Sequence, residues 1–237
     1  MGRPPLFLFH HVGYNGGGKR EEAIMNLRKA MLIGAVLLTV LAAAAYSLQG
    51  SFAGFGFGGP KVLVAYFSRA GENYAVGRTE KGNTAALAEI IADETGGDLF
   101  EIKTKEAYPE KLKEVLEVAR REQKENARPE LAEKVNLADY DIIFLGYPNW
   151  CSDMPMAVYT FLETNDFEGK TIIPFSTSLT DALTGNEKNI PLHAKGAKVL
   201  DGLGLEGKFV HDTPRLVKPL VKEWLDNLNW KEAAKSE

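Results

Sequence analysis

Apolar positions change period repeatedly after residue 60. "KVLVAYF", 61–67, is a short apolar run rich in β-formers, the pattern of a buried strand. From Asn83 to Thr95, Ala86, Leu87, Ile90 and Ile91 recur at helical spacing, and Gly96-Gly97 ends the helix. "DLFEIK", 98–103, predicts a second strand. Lys111–Asn126 predicts a charged helix with Leu112, Val115, Leu116 and Ala119 as its apolar stripe. "YDIIFLGY", 140–147, is the most apolar strand. Met154–Glu163 follows as a helix with Asp153 as its expected N-cap and Pro155 in its first turn. "KTIIPFSTS", 170–178, is a fourth strand, Asn186–Ala194 a short helix, and "AKVLDGL", 197–203, a fifth strand. The spacing of Val217, Leu220, Val221, Trp224, Leu225 and Leu228 predicts a final helix.

Strands alternating with helices predict an α/β domain, a five-stranded parallel sheet covered on both faces. In open sheets of this kind ligands sit at the carboxyl ends of the strands, beside the point where strand order reverses. The loops after strands one, three and four are therefore where chemistry is expected.

The N-terminal region has a different pattern. No charged residue occurs from Ala30 to Pro60, and "AMLIGAVLLTVLAAAAYSL", 30–48, has the length of a bilayer span. Arg28 and Lys29 precede it, so the N-terminus is expected in the cytoplasm and the rest outside, membrane-anchored or secreted. Small residues at 43–47 also suit a cleaved signal peptide, and both readings stand. "GGGKREEAIM" fits an almost purely purine codon run before Met25, which makes Met25 the expected start of translation. The expected organisation is a basic segment 1–29, a hydrophobic anchor or signal 30–48, a Gly-rich tether 49–60, a folded domain 61–230 and a tail 231–237.

In the first loop, Ser68-Arg69-Ala70-Gly71 leaves the strand and Gly82-Asn83-Thr84 opens the helix. A helix N-terminus carries free N–H groups and partial positive charge, which favour a phosphate. Ser68 and Thr84 add hydroxyls and Asn83 an amide; equally, Asn83 or Thr84 could simply cap the helix. Between Gly71 and Gly82 lies "ENYAVGRTEK", an excursion with the binding groups on its flanks. "GRTEKGNT", 77–84, fits a triphosphate loop, but Asn83 stands where that chemistry needs Lys, and the strand ends ten residues too early.

The second loop is "GYPNWCSDMPMAV", 146–158. Pro148 and Asn149 shape a turn, and Trp150 offers a flat apolar surface suited to a planar ring. Cys151 has no evident base partner and is not expected to be a nucleophile. The third loop, "STSLTDALTG", 176–185, offers hydroxyls and N–H groups to a heterocycle edge. Two G-x-G-x-x-G matches, at Gly54–Gly59 and Gly202–Gly207, lack dinucleotide context: one precedes a strand, and "KFVHD" after the other does not suggest a helix start.

Net charge is −4 over 237 residues, but residues 61–237 hold 23 basic and 30 acidic groups. So acidic a domain excludes a nucleic-acid backbone as its natural partner and suits a basic protein or a small ligand. One cysteine excludes internal disulfides and Cys-based zinc clusters.

Together, "YFSR…GNT", "GYPNW…MPMAVYTFLE" and "PFSTS" resemble the flavodoxin family, in its branch with a "GENY…GNT" insertion, over roughly 61–230. The resemblance implies a doubly wound sheet of order 2-1-3-4-5 that binds FMN. It implies Ser68, Arg69, Ala70, Gly82, Asn83 and Thr84 around the FMN phosphate. Pro148, Asn149, Trp150 and Cys151 would lie along the isoalloxazine, with Thr177 and Ser178 from the third loop. The resemblance implies a Gly-rich third loop, often similar to Gly-Gly-Ser-Gly, where this chain has Leu179-Thr180-Asp181-Ala182; side chains at the glycine positions are expected to crowd the flavin, and Asp181 would disfavour an anionic reduced flavin. The implied role is electron transfer with a redox partner protein. An NAD(P)H-dependent flavin or quinone reductase and a flavin-free binding module are the alternatives.

Overall fold

The computed structural model describes residues 59–233 apart from 181, 182 and 184. The expected basic segment 1–29 with its start at Met25, the anchor or signal 30–48, most of the tether 49–60 and the end of the tail, 234–237, lie outside these residues. Among the described residues no helix is long and apolar enough to cross a membrane.

Strand β1, Val62–Tyr66, lies in the interior of a parallel sheet. On one side it pairs with β4, Asp98–Glu101, in register Leu63 with Asp98. On the other it pairs with β5, Ile142–Pro148, in register Val62 with Ile142. Strand β6, Thr171–Ser178, follows β5. The order is the doubly wound 2-1-3-4-5, with its reversal at β1 and β5.

The predicted fifth strand is not continuous. It is two short pieces, β7 at Lys198–Val199 and β8 at Leu203–Glu206, both parallel to β6. Pro174 lies between the two paired segments of β6 and has no N–H to offer a neighbour. The chain leaves the ladder there and rejoins at Phe175.

Alternation along the strands builds two cores. Leu63, Ala65, Phe67, Ile143, Leu145 and Tyr147 face the side of helix α3, Met156–Thr164. Val62, Val64, Ile142, Phe144, Ile173 and Phe175 face α1, Asn83–Thr95, and α6, Pro214–Leu228. Helix α2, Leu112–Glu125, buries Val115 and Ala119. The predicted short helix is a 3-10 turn at Asn186–Asn189 running into α4, Ile190–His193.

Two expectations need correction. "GKFVHD" is a helix after all, α5 at Gly207–Asp212. The strand β8 runs into it without an intervening turn, and a Cβ on Gly207 would lie 2.5 Å from Asn83 Nδ2. Side chain already fills the space where a dinucleotide loop would need its backbone. Second, α3 starts at Met156 with Pro155 as N-cap, so Asp153 does not cap it. The packed chain reaches Trp230, which is buried against Phe144 at 5.7 Å between rings and opens α7, Trp230–Ala233.

Candidate functional site

The three loops expected to carry chemistry leave the carboxyl ends of β1, β5 and β6. Within the first, the excursion folds as an antiparallel hairpin, β2 at Gly71–Asn73 and β3 at Gly77–Thr79. The chain then returns to Gly82, the N-cap of α1. Gly82 has no side chain with which to cap the helix, and the first turn holds no acidic residue. Ser68 reaches across and accepts the Ala85 N–H at 3.1 Å. Among the described residues the N–H groups of Asn83 and Thr84 find no acceptor, and the buried Asn83 Oδ1 is unpartnered. Free donors at a helix N-terminus are a fit for an anion.

Gly82 is held by contact, not by a special torsion. A Cβ there would press on Ser68 Oγ and lie 2.5 Å from the Arg69 carbonyl oxygen. The two flanks of the excursion therefore touch only because position 82 has no side chain. Ala70 is exposed. The Arg69 guanidinium donates to the backbone carbonyls of Ala70, Glu72, Pro109 and Glu110. A cleft of about 280 Å³ at this loop is walled by Ser68, Arg69, Ala70 and Gly82, with Lys81 beside the carboxylates of Glu80, Glu89 and Glu101. Burial, together with Glu101 and Glu89, pushes the Tyr66 phenol above its ordinary range.

Thr84 is buried, and its hydroxyl lies 2.7 Å from that of Thr177 on β6. This bond links the first loop to the third, a pairing no sequence spacing announces. Thr177 also accepts the Asn149 N–H through its carbonyl at 2.9 Å, and Pro148 pairs with it across the sheet. The Ser178 hydroxyl folds the third loop locally by bonding the Thr180 main chain. Leu179 is exposed. Asp181 and Ala182, two of the positions expected to crowd a ring, lie outside the described residues.

The second loop closes on itself. Trp150 and Asp153 exchange backbone hydrogen bonds of 2.8 and 3.1 Å around Cys151 and Ser152. Both central residues have positive φ, +53° and +68°, the geometry of a type I′ turn. Cys151 thus sits at a turn tip. The Trp150 ring is half-buried, edge-on to Phe67 at 5.2 Å and to Tyr108 at 5.1 Å. Tyr108 donates to Glu122 at 2.8 Å, and burial raises both of these groups above their ordinary pKa range. Asp153 does its work through Oδ1, which accepts the Met154 N–H at 2.7 Å and the Tyr159 hydroxyl at 2.8 Å.

Sequence reasoning missed Tyr108, Gln123 and Tyr159 as supports of the second loop. Tyr108 and Gln123 stand about 25 to 45 residues from the loop in sequence and carry no local signal. Tyr159, six residues after Asp153, was a findable partner, since Asp and Tyr flank the start of α3.

A family model described as Flavodoxin matches residues 61–228. Among solved structures, a candidate flavoprotein from Bacteroides uniformis ATCC 8492 is 30% identical, covering 71% of this chain and 99% of its own, with TM-score 0.55. Another from Bacteroides eggerthii DSM 20697 is 26% identical, covering 72% and 98%, with TM-score 0.55. A flavoprotein from Lactobacillus acidophilus NCFM, solved in complex with FMN, is 21% identical over 64% and 97%, with TM-score 0.49. Comparison with curated proteins gives no match.

Proposed function

The chain belongs to the flavodoxin family, and we propose that its domain binds FMN noncovalently and passes electrons to a partner protein. The observation that carries this reading is the N-terminus of α1 at the switch point of the sheet, where the Asn83 and Thr84 N–H groups find no acceptor among the described residues. The Ser68 hydroxyl and the main chain of Arg69, Ala70, Gly82, Asn83 and Thr84 would surround the phosphate. Pro148, Asn149, Trp150 and Cys151 would lie along the ring system, and Thr177 and Ser178 at its edge. FMN supplies the redox chemistry when bound, and the protein's part is to bind, orient and limit access. The acidic domain suits a basic redox partner. The uncharged segment 30–48 supports placing the domain outside the cytoplasmic membrane, anchored or released.

The test is an absorption spectrum of the purified protein with added FMN, followed through stepwise reduction. The expected result is a flavin spectrum that survives desalting and does not bleach with NADPH alone. Rapid bleaching by NADPH, with turnover of a quinone, would make the protein a reductase. A protein that stays colourless would be a flavin-free binding module. Protease accessibility of the domain in intact cells checks the expected topology.

A further inference from the structure

The Arg69 side chain has an unusual set of partners for a residue flanking an anion site. Its Nη1 donates to the carbonyls of Ala70 at 2.8 Å, Pro109 at 3.1 Å and Glu110 at 2.8 Å, and Nη2 donates to the Glu72 carbonyl. One planar fork thus gathers four carbonyls from two segments about forty residues apart in sequence. Guanidinium geometry suits this, whereas a lysine ammonium cannot span it. The same two segments meet again at the hairpin edge. The Glu72 N–H donates to the Glu110 carbonyl at 2.8 Å, and the Glu72 carboxylate accepts the N–H of Leu112, first residue of α2, at 3.0 Å. Gly71 makes room: its φ is +102°, and a Cβ there would lie 2.5 Å from Arg69 Nη1 and 2.7 Å from the Glu110 carbonyl oxygen.

The other end of α2 reaches the second loop. Gln123 Nε2 donates to the Trp150 carbonyl at 2.9 Å. Tyr108, immediately before Pro109, packs edge-on against Phe67 and Trp150. A continuous chain of contacts therefore runs from Arg69 through residues 108–110 and α2 to the second loop.

We propose that Arg69 is a positioning residue. Its guanidinium clasps the first loop to the start of α2, and so sets the first and second loops relative to each other. Its charge is turned to carbonyls, not to an anion. The affinity part of the test rests on the FMN reading; the exchange part does not.

The experiment compares Arg69→Lys, Arg69→Ala and Gly71→Ala with the wild type. Flavin fluorescence titration gives the FMN dissociation constant below the melting range, with folding checked by circular dichroism. Amide hydrogen exchange reads Glu72 and Leu112 without flavin. All three variants are expected to weaken FMN by about tenfold, through lost preorganisation, and to speed exchange at both amides. Lysine keeps the charge and is expected not to rescue; Gly71→Ala keeps the arginine and is expected to behave the same. Wild-type affinity in Arg69→Lys with loss in Arg69→Ala would overturn the proposal in favour of a charge paired with phosphate. Lower melting temperature with unchanged FMN affinity would reduce Arg69 to a stability role and overturn it too. If the wild type takes up no FMN, the cofactor reading fails separately. The exchange result then decides alone: faster Glu72 exchange supports the clasp, and unchanged protection overturns it.

Discussion

The first and second loops sit at the same end of the sheet but are held in opposite ways. The first depends on glycine for contact: Gly82 lets Ser68 and Arg69 close against the start of α1, and Gly71 leaves room for a guanidinium. The second has no glycine in its turn although both central residues, Cys151 and Ser152, have positive φ. Its strain is tolerated because hydrogen bonds and rings around the turn determine it: Trp150 against Phe67 and Tyr108, Gln123 on the Trp150 carbonyl, Tyr159 on Asp153. The lesson is one of function. On the proposed reading, a loop whose backbone is to come close to an anion removes side chains. On the same reading, a loop that is to present a ring surface keeps them and is braced by its neighbours.

The contrast can be broken most severely at Gly82. Gly82→Ala is expected to destabilise the domain by about 3 kcal/mol, because the neighbours its Cβ meets are backbone and a capping hydroxyl. Urea denaturation would measure it, and a shift under about 0.5 kcal/mol would show that the first loop gives way easily. Next comes the tie between the first and third loops. Thr84→Val leaves the buried Thr177 hydroxyl without its 2.7 Å partner, at an expected cost of about 2 kcal/mol. Replacing both threonines by valine should cost less than the sum of the single changes, which a double-mutant cycle would read.

The second loop predicts the opposite sign. Ser152→Gly relieves a positive φ of +68° and is expected to stabilise by about 0.5 kcal/mol, seen as a small rise in melting temperature. A loss of stability would mean that the Ser152 side chain has a bracing role of its own.

The smallest effect concerns pH. Glu163 accepts both fork hydrogen bonds of Arg128, at 2.6 and 2.7 Å, and lies 2.7 Å from His193 Nδ1. Arg128 above all, with His193, holds its carboxyl down to about 2 against an ordinary 4.5. Arg128 and His193 both pack on the Tyr159 ring, whose hydroxyl anchors Asp153. A carboxyl with a depressed folded-state pKa stabilises fully above its unfolded value, so this contribution is present above about pH 4.5 and is lost as pH falls toward about 2. The pair is partly exposed, which keeps the effect modest. Melting temperature followed from pH 6 to pH 2 should fall less steeply in Glu163→Gln; parallel curves would show that the pair adds nothing.

Much of this protein was legible one segment at a time. Apolar runs gave β1, β5 and β6 within two residues at either end, and helical spacing gave α1, α2 and α6, because burial on a sheet face or a helix stripe imposes its own period on the chain. The ends of the strands that carry the loops followed from the alternation of strands and helices. What local pattern could not supply was partnership. Pro174 interrupts the edge strand only because β7 and β8 happen to lie beside it. Thr84 meets Thr177 across 93 positions, and Arg69 turns to Pro109 and Glu110 forty positions away. A periodicity reports which face of an element is buried. Which hydroxyl, carbonyl or ring waits on the other side is settled by how the elements pack, since hydrogen bonds depend on distances that sequence separation does not encode.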